Sequence, residues 1–511
     1  MTPFLRARFC IAPVSLSMVT LFASACGAPG GESATDATGG ASPTMTPPFD
    51  DPGGPASPAD RPLATDAPPT SGDEAPGSDI ARDPSPAPVT PTEPTEPAPP
   101  EQPAAEVPLS PGRPTRGTAD LFTDLLGIPV AEVDAKVRQA VDRIFGIGTN
   151  ESAIPQAGTG YRLYYELPQD ASQAFIWCAD ENDVRSEGQS YGMMIAVQMD
   201  MQSQFDKLWT FAQERMQFAT NDAWNRYFRW RGAVSVNGDA INVNFGQNGP
   251  APDGDEYFAA ALYLADRRWG SNGAINYEQE ADAIASAMLN NAGGPQGRAA
   301  IINPQSNMVV FYPQGNSAGF SDPSYHLPAF YELFAQDGNP ADAARWRQVA
   351  DISRQFFVQS ANPNTGLHPD YANFNGTPNA GSDHFRFDAW RVPMNMAIDF
   401  AWTGPDARLE AQVEKYHAFF GARLGANNIP NALFLLNGNV APDDTGSSTA
   451  LAATLAAAAL ASNAQNRAEF VENLWNTRQQ TGTYRYYQEA IYALGLLATA
   501  GWFGYEWAPV Q

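Results

Sequence analysis

Three short stretches of the sequence each place a carboxylic acid at the predicted start of an apolar helix. Glu187 is followed by a glycine, and Asp253 follows a turn rich in proline and glycine. Asp388 precedes Arg391 by three residues. Ionised acids are favoured at helix starts because the exposed N–H groups and the helix dipole are positive there. Each acid taken alone is therefore as consistent with helix stabilisation as with catalysis.

Taken together, acids from distant parts of the chain suit the hydrolysis of a glycosidic bond. This reaction needs one protonated acid at the leaving oxygen and one carboxylate that activates water on the opposite face. A charge on Asp253 near Glu187 would raise the pKa of Glu187 and keep it protonated. An ion pair with Arg391 would keep Asp388 ionised and oriented, as a general base requires. We interpret Gly188 as leaving room for a sugar to approach Glu187.

Each stretch also has a structural explanation. Glu256 stands three residues after Asp253, in the arrangement of a capping box. An ordinary ion pair at a helix start would explain Asp388 and Arg391 equally well. The local patterns do not choose between catalysis and capping.

A different enzyme class is suggested by residues 315–319, Gly-Asn-Ser-Ala-Gly, which match the pattern of a nucleophile elbow. The elbow of an esterase needs a strand before the serine and a helix directly after it. Residues 308–312 could supply the strand, but Pro323 stands too close to the serine for a regular helix to follow. Short motifs of this kind recur by accident, so an esterase is disfavoured.

Apolar residues at helical spacing run from about residue 117 to the end of the chain and predict an all-α fold. After a first helical segment over 122–145, we expect helices near 189–217, 255–268, 277–291, 326–336, 340–360, 388–402, 407–423, 448–461, 465–475 and 484–501. About a dozen helices in pairs could close into a ring of inner and outer helices. Residues 161–165 and 308–312 are strand-like, and 231–254, 293–325 and 361–387 are predicted to be long connections.

The chain before residue 117 differs in composition. Residues 1–26 hold early arginines, an apolar run and small residues before Cys26, which is typical of an export signal. The end of this segment resembles a bacterial lipoprotein processing site with Cys26 as the lipidated residue. Residues 27–116 hold 23 of the 44 prolines, so we expect a disordered linker before a catalytic domain at 117–511. Cys178 is the sole cysteine of that domain, which excludes a disulfide within it.

The formal net charge of −26 argues against nucleic acid or an anionic membrane as a partner, since either needs a basic patch. We expect a monomer that acts on a neutral ligand and contacts a membrane only through a lipid anchor, after export to the cell surface or secretion. The histidines show no metal-ligand spacing and are expected to be hydrogen-bonded loop or core residues. They are His326, His368, His384 and His417.

Four motifs occur in order along the chain: Ser-Glu-Gly-Gln-Ser-Tyr-Gly-Met at 186–193, Ala-Pro-Asp-Gly-Asp-Glu at 251–256, Asp-Pro-Ser-Tyr-His-Leu-Pro at 322–328 and Phe-Asp-Ala-Trp-Arg at 387–391. With the closing Tyr-Arg-Tyr-Tyr at 484–487, they resemble glycoside hydrolase family 8. Within that family they most resemble the reducing-end xylose-releasing exo-oligoxylanases and related xylanases. The resemblance covers nearly all of residues 118–511.

The resemblance implies an (α/α)6 barrel of six helical hairpins whose long loops form a cleft, inversion of configuration, and no metal or organic cofactor. It implies that Glu187 is the general acid, Asp388 the general base, and Asp253 the acid that holds the sugar ring. Arg391 would steer Asp388. The implied activity is cleavage of β-1,4 linkages in xylan or xylo-oligosaccharides. A β-1,4-glucanase of the same family and a non-catalytic surface carbohydrate-binding protein are the alternatives.

One departure from the family pattern bears on the mode of attack. In the reducing-end exo enzymes, a loop with a Leu-His-Pro kink blocks one end of the cleft, and its histidine contacts the reducing-end hydroxyl. The matching stretch here, 443–451, has no histidine. A Leu-His-Pro tripeptide at 367–369 falls elsewhere in the resemblance. This difference favours an open, endo-acting cleft.

Several aromatic residues near these stretches could stack on sugar rings, with core packing as the alternative. The predicted substrate-binding residues are Arg391, Tyr191, Trp230, Tyr257 and Trp390, and Trp177 is a further aromatic candidate.

Overall fold

The computed structural model describes residues 112–156, 158–291, 297–425 and 429–508, which contain thirteen α-helices and eleven short strands. The predicted export signal, Cys26 and nearly all of the predicted linker lie outside the described residues, so they stay predictions.

The α-helices are α1 Leu121–Leu126, α2 Val130–Phe145, α3 Ser186–Gln198, α4 Gln202–Phe211, α5 Pro252–Trp269, α6 Tyr277–Asn290, α7 Pro328–Asp337, α8 Ala343–Ser360, α9 Val392–Thr403, α10 Ala407–Gly421, α11 Thr449–Ala458, α12 Arg467–Asn476 and α13 Arg485–Thr499. The strands are β1 Arg116–Gly117, β2 Tyr164–Leu167, β3 Asp170–Cys178, β4 Asp183–Arg185, β5 Arg231–Asn237, β6 Ala240–Asn244, β7 Phe320–Ser321, β8 Ala372–Asn373, β9 His384–Phe385, β10 Phe434–Leu435 and β11 Gly504–Glu506.

Six of the helices form a closed inner ring. Helix α3 packs on α5, α5 on α7, α7 on α9, α9 on α11, α11 on α13, and α13 returns to α3. Each inner helix is backed by an outer one, which are α4, α6, α8, α10, α12 and, behind α13, α2. The fold is therefore an (α/α)6 barrel, and the predicted helical class is confirmed.

Burial explains which helices lie inside. Every residue of α3 is buried, and so is every residue of α11 after Thr449, because these helices are surrounded by others on all sides. Outer helix α2 instead buries one face, with Val133, Val137 and Val141 at a spacing of four residues. A helix that is apolar on all sides therefore lies in the inner ring, and a helix with one apolar stripe lies outside it.

The single helix predicted over 189–217 is wrong. Helix α3 ends at Gln198 and α4 begins at Gln202, and a short π-helix continues α4 from Ala212 to Met216. Asp200 adopts a positive φ of 61° between the two helices, which reverses the chain. Its carboxylate accepts hydrogen bonds from Arg268 and Trp269 of the neighbouring helix α5, so contacts distant in sequence hold this turn.

A five-stranded antiparallel sheet in the order β2-β3-β4-β5-β6 was not predicted as such. The predicted strand at 161–165 overlaps β2, but 231–254 is not simply a connection, because it contains the hairpin of β5 and β6. Gly238, at a φ of 61°, and Asp239 form its two-residue turn. Residues 308–312 form no regular strand, since Val309 makes an isolated bridge to Ile302. The sheet matters for function because β4 ends at Arg185, immediately before α3 begins.

Candidate active site

The three predicted catalytic acids meet at one end of the inner ring. Glu187 is the second residue of α3, and Asp253 is the second residue of α5. Asp388 lies in the short 3-10 helix Phe387–Arg391 that leads into α9. The starts of α3 and α5 are in direct contact because residue 254 is a glycine: a Cβ there would lie 2.5 Å from the Ser186 hydroxyl oxygen.

The Arg391 guanidinium joins the three acids. Its Nη1 donates to Glu187 Oε1 at 2.6 Å and to Asp253 Oδ2 at 2.9 Å. Its Nη2 donates to Asp388 Oδ1 at 2.8 Å. Tyr191 and Ser324 complete the set, with their hydroxyl oxygens 2.7 Å from Nη1 and Nη2 respectively.

These contacts change the expected role of Arg391. A guanidinium has five N–H donors, and this one is engaged by three carboxylates, two hydroxyls and the Asp388 carbonyl, which lies 3.4 Å from Nε. Its donors are engaged within the protein, so direct binding of a sugar by Arg391 stays a prediction that these contacts do not support. Its geometry fits the other predicted role, which is to steer Asp388.

Burial sets the electrostatics of the site. Glu187, Asp253 and Asp388 are 6%, 4% and 3% exposed. Burial, and after it the charges of Asp253 and Asp388, raise the pKa of Glu187 to about 8 against the opposing effect of Arg391. The loss of water on burial raises this pKa more than the charge of Asp253, which was the cause expected from the sequence. Burial also raises the pKa of Asp253, while Arg391 opposes this shift.

The capping explanation of Asp253 is wrong. Helix α5 has Ala251 as its N-cap, with no side-chain cap, and Asp253 Oδ1 accepts a hydrogen bond from the N–H of Gly254 at 2.9 Å. Glu256 does not reach back to the cap, because its Oε1 accepts from the Tyr331 hydroxyl at 2.7 Å. Asp253 is therefore not the N-cap residue: one carboxylate oxygen binds an N–H of the first helical turn, and the other binds Arg391.

The backbone is strained immediately before Asp388. Phe387 adopts a φ of 31°, in the left-handed region that a bulky side chain rarely enters. The Tyr487 hydroxyl donates to the Phe387 carbonyl oxygen at 2.8 Å. This bond from helix α13 helps to hold the backbone conformation immediately before Asp388, whose carboxylate accepts from Arg391.

The space beside Gly188 is not open to a sugar, so that interpretation is wrong. A Cβ on Gly188 would lie 2.5 Å from the hydroxyl oxygen of Tyr486. Tyr486 occupies the space itself and donates to Glu187 Oε2 at 3.2 Å. The glycine is needed because a tyrosine packs against the helix at this point.

Four residues at the site were not given roles from the sequence: Asp322, Ser324, Tyr486 and Tyr487. All four lie inside the segments 322–328 and 484–487 that carried the family resemblance, but nothing in their local pattern indicates chemistry. Ser324 Oγ contacts Arg391, and Asp322 Oδ2 lies 3.8 Å from Arg391 Nη2. Their position in the shared motifs was the available signal.

The predicted sugar-stacking aromatics separate into different environments. The fully buried Trp390 donates from its indole N–H to the Ala432 carbonyl and packs against Phe387 and Tyr487, so its predicted substrate role is wrong. Trp177 is likewise a core residue, since it is 2% exposed and packs against Tyr165.

Tyr191, Tyr257 and Trp230 lie beside the acids. Tyr191 and Tyr257 pack edge to face with ring centroids 4.6 Å apart. Trp230 is joined to the start of α3, because its carbonyl oxygen accepts from the N–H of Ser186 at 2.9 Å. The guanidinium of Arg185 lies 5.9 Å from the centroid of the Trp230 ring.

Three of the four histidines are hydrogen-bonded core residues, which is one of the two environments predicted for them. His326, His368 and His417 are buried and hydrogen-bonded inside the protein. His368, from the Leu-His-Pro tripeptide, contacts the Tyr416 hydroxyl and the Phe357 carbonyl, so it cannot contact a sugar. His384 is half-buried beside Asp383.

In the stretch 443–451, Asp444 accepts hydrogen bonds from the N–H groups of residues 432 and 433, which fixes this loop.

The nucleophile-elbow pattern does not form an elbow. Ser317 lies in the short 3-10 helix Gly315–Gly319, and strand β7 follows it directly. A helix after the serine, which the elbow needs, is therefore missing at this position.

The described residues hold no group of three or more His, Cys, Asp or Glu side chains placed to bind a metal ion. Within the same residues, no helix has the length and hydrophobicity to cross a membrane.

A separate cavity of about 510 Å³, lined by Glu332, Arg354 and Trp402 among others, holds none of the predicted catalytic residues. It lies at the far end of α9, about 18 Å along the helix from its start.

The arrangement suits general acid and base chemistry. Burial raises the pKa of the Glu187 carboxyl group to about 8, which favours its protonated form at neutral pH. Asp388 is paired with a cation, which favours its carboxylate form. Glu187 and Asp388 bind different terminal nitrogens of the same guanidinium. An inverting hydrolysis requires room for water and a substrate bond between its two carboxyl groups.

Comparison with known proteins gives concordant matches. The model of the family described as glycosyl hydrolases family 8 matches residues 176–501. The reducing-end xylose-releasing exo-oligoxylanase Rex8A of Paenibacillus barcinonensis is 37% identical over 347 residues, which span 66% of this chain and 87% of that protein. Endoglucanase A of Acetivibrio thermocellus is 30% identical over 345 residues, 66% of this chain and 65% of that protein. Among solved structures, a catalytic mutant of a family 8 xylanase from Teredinibacter turnerae with xylohexaose has a TM-score of 0.67 at 36% identity, covering 76% of this chain and 98% of its own.

Proposed function

The chain belongs to glycosyl hydrolase family 8, and we propose that it is an inverting enzyme that cleaves β-1,4 linkages in xylan or xylo-oligosaccharides. Membership of the family makes it an O-glycosyl hydrolase. The observation that carries the proposed mechanism is the convergence of Glu187 and Asp388 on the two terminal nitrogens of Arg391. The oligoxylanase and xylanase relatives support a xylose-based substrate.

Glu187 is proposed to be the general acid. A pKa of about 8 keeps its carboxyl group protonated at neutral pH, so it can transfer a proton to the glycosidic oxygen as the bond breaks. The hydrogen bonds from Arg391 and Tyr486 fix the two oxygens of the carboxyl group before the substrate arrives. Proton transfer then requires no large movement of the side chain.

Asp388 is proposed to be the general base. It would take a proton from a water molecule on the face of the sugar opposite the leaving group, so that the water attacks the anomeric carbon with inversion. The mechanism requires a carboxyl-to-carboxyl distance of roughly 6.5–9.5 Å between Glu187 and Asp388 to admit that water. The ion pair with Arg391 offsets the cost of keeping the carboxylate buried.

Asp253 is proposed to hold the sugar ring at the cleavage point. It lies beside Glu187 on the same guanidinium nitrogen, and its charge contributes to the raised pKa of Glu187. Trp230 is the aromatic residue proposed to line this position, since its carbonyl oxygen is bonded to the start of α3 and it is 6% exposed. Tyr191 and Tyr257 are as buried as Trp177, at 1% and 3% exposed, and are proposed to support the acids by packing on each other.

Cleavage at internal linkages of the xylan chain is the proposed mode of attack. The stretch 443–451 carries no histidine, and the histidine of the Leu-His-Pro tripeptide is buried away from any sugar. Incubation with xylohexaose tests this directly. Mixed shorter oligomers are expected, whereas release of xylose alone would establish a reducing-end exo enzyme, and no product would favour a carbohydrate-binding protein without activity.

Two variants test the site in the same assay. Glu187→Ala and Asp388→Ala should each abolish hydrolysis of xylohexaose while the protein still melts cooperatively. Retention of substantial activity by either folded variant would refute the assignment of the acid and the base.

A β-1,4-glucanase is the second candidate, and its support is the 30% identity with an endoglucanase. Xylose and glucose differ by one hydroxymethyl group, so the two activities can share the same catalytic acids. Release of glucose oligomers from a β-glucan, in preference to products from xylan, would move the substrate assignment to glucans.

The location of the enzyme is a separate proposal. The basic, apolar and small-residue segments before Cys26 support export and anchoring by a lipid on that cysteine. Metabolic labelling with a radioactive fatty acid should label the protein, and Cys26→Ala should remove the label. An unlabelled protein in the medium would show ordinary secretion.

A further inference from the structure

Asp322 is a fourth buried acid at the proposed catalytic centre. It precedes the short 3-10 helix Pro323–Tyr325 and is completely buried. Its Oδ1 accepts from the N–H of Ser324 at 2.7 Å. Its Oδ2 has no hydrogen-bond partner among the described residues, although the side chain is buried.

The surroundings of Asp322 contain one cation. Asp388 and Asp322 both approach Nη2 of Arg391, but Asp388 lies 2.8 Å away, within hydrogen-bonding distance, and Asp322 lies 3.8 Å away. Arg391 also serves Glu187 and Asp253 through Nη1. The charge of Arg185 also acts on Glu187. Two positive charges cannot offset four buried negative charges, so some of the four carboxyl groups must hold a proton.

Asp322 is the member of this set that gains least from ionisation. The other three each accept a hydrogen bond of 2.9 Å or less from Arg391, and Asp322 accepts none from it. Burial, and next the negative charge of Asp388, raise the pKa of Asp322 well above its usual range. The remaining titratable groups that face it are the Tyr325 and Tyr487 hydroxyls, and burial raises the pKa of both. His326, four residues along, is turned to Ser321 and Ser353.

We propose that Asp322 is a positioning residue that remains protonated at Oδ2 and donates this proton in a hydrogen bond to the carboxylate of Asp388. The proton stays on Asp322 through the reaction, so no bond is made or broken there. The hydrogen bond stabilises the ionised base, and Asp388 therefore stays active at lower pH than an isolated ion pair would allow. This inference rests on the proposed role of Asp388 as the base.

The acidic limb of the kcat/KM profile reports the ionisation of the base in the free enzyme. Asp322→Leu removes the donor at similar volume, and the acidic limb should move upward by about one pH unit, the effect expected for a lost hydrogen bond to a charged group. Asp322→Asn keeps an acceptor for Ser324 and a donor for Asp388, so its limb should stay within about 0.3 pH units of the original. A merely structural role would lower activity in the leucine variant without moving the limb.

Two results would overturn the proposal. An unmoved acidic limb in folded Asp322→Leu would show that no such hydrogen bond acts on the base. A limb in Asp322→Asn that moves down by about one pH unit would show that Asp322 is ionised, because the substitution would then remove a negative charge next to Asp388.

Infrared spectroscopy gives a second measurement if the leucine variant fails to fold. The spectrum of the unsubstituted protein minus that of Asp322→Asn at neutral pH should contain the carbonyl band of one protonated carboxyl group, and its absence would refute the proposal. Asp399→Asn, near the other end of α9, is the control for a buried carboxyl group paired with an arginine. An active Asp388→Asn variant would instead refute the proposed function, whatever the result for Asp322.

Discussion

The Tyr487 hydroxyl holds the carbonyl oxygen of Phe387 at 2.8 Å, where Phe387 has a φ of 31° immediately before the proposed base. Helix α13 thereby constrains a strained turn 100 residues away in sequence. Strain at such a position persists because the surrounding structure fixes it.

Tyr487→Phe should therefore lower kcat on xylohexaose by about tenfold, the effect of one lost hydrogen bond of ~1–1.5 kcal/mol on the placement of Asp388. The value of KM should change little. Tyr484→Phe, whose side chain is 37% exposed, is the matched control and should keep full activity. Equal activities of the two variants would show that the turn holds Asp388 without Tyr487.

Arg391 should be essential for both activity and stability, because it is the cation shared by the acids. Arg391→Met leaves buried carboxyl groups without their partner and should lower the free energy of unfolding by about 3–5 kcal/mol. Arg391→Lys keeps the charge but loses the forked geometry, so it should fold better than the methionine variant and remain nearly inactive. Chemical denaturation and initial rates measure the two effects.

Arg354→Met is the control for that pair of variants. Arg354 makes hydrogen bonds of 2.7 and 2.8 Å to Asp399 near the far end of α9. Its loss should also destabilise the protein but leave the activity per folded molecule unchanged. If Arg391→Lys were as active as the unsubstituted enzyme, the geometry of the guanidinium would not matter for catalysis.

Gly188→Ala should destabilise the protein by about 1–3 kcal/mol, because the added Cβ overlaps with Tyr486. The displacement of Tyr486 removes a hydrogen bond from Glu187, so the initial rate should fall as well. Gly273→Ala is the control, since a Cβ there meets nothing within 4 Å. A stable and fully active Gly188→Ala would restore the interpretation that this space is open to a sugar.

The raised pKa of Glu187 predicts how activity depends on pH. A general acid with a pKa of about 8 loses its proton above that pH, so kcat/KM should fall as pH rises through about 8. Glu187→Gln should have little residual activity, and the pH profile of that residual activity should lack the basic limb. An unchanged basic limb in a weakly active Glu187→Gln variant would show that a group other than Glu187 causes the limb.

The same shift predicts how stability depends on pH. The folded state holds the proton of Glu187 up to about pH 8, whereas an ordinary glutamate loses it near 4.5, so the folded state binds more protons between these values. This group therefore makes the protein less stable as pH rises from about 4.5 to 8. Glu187→Gln should raise Tm relative to the original protein by an amount that is small at pH 4.5 and grows to about 2 °C or more at pH 8.

The sequence predicted the parts of the site that have a local signature. Glu187, Asp253 and Asp388 each stand at a helix start that the apolar pattern reveals, and all three meet as expected. Tyr486 and Tyr487 could not be assigned in this way, because a tyrosine in a helix has the same local pattern whether it packs or positions a catalytic group. Their partners lie 299 and 100 residues away, which no local pattern encodes.

The errors in the fold have a similar origin. The helix predicted over 189–217 is interrupted at Asp200 because side chains of α5 hold the turn, and those contacts are not visible in the local periodicity. The hairpin of β5 and β6 did have a local signal, which is a Gly-Asp turn between two segments of alternating residues. It was missed because the Gly, Asn and Pro content of residues 231–254 is typical of a loop. The substrate role given to Trp390 failed because exposure depends on the packing of distant elements.

The anomeric form of the first product of xylohexaose hydrolysis tests the central claim most directly. Proton nuclear magnetic resonance can follow the new reducing end before it equilibrates. An acid at Glu187 and a base at Asp388 acting across the sugar predict that the α-anomer forms first from the β-linkage. Initial formation of the β-anomer would show retention and would contradict the proposed mechanism.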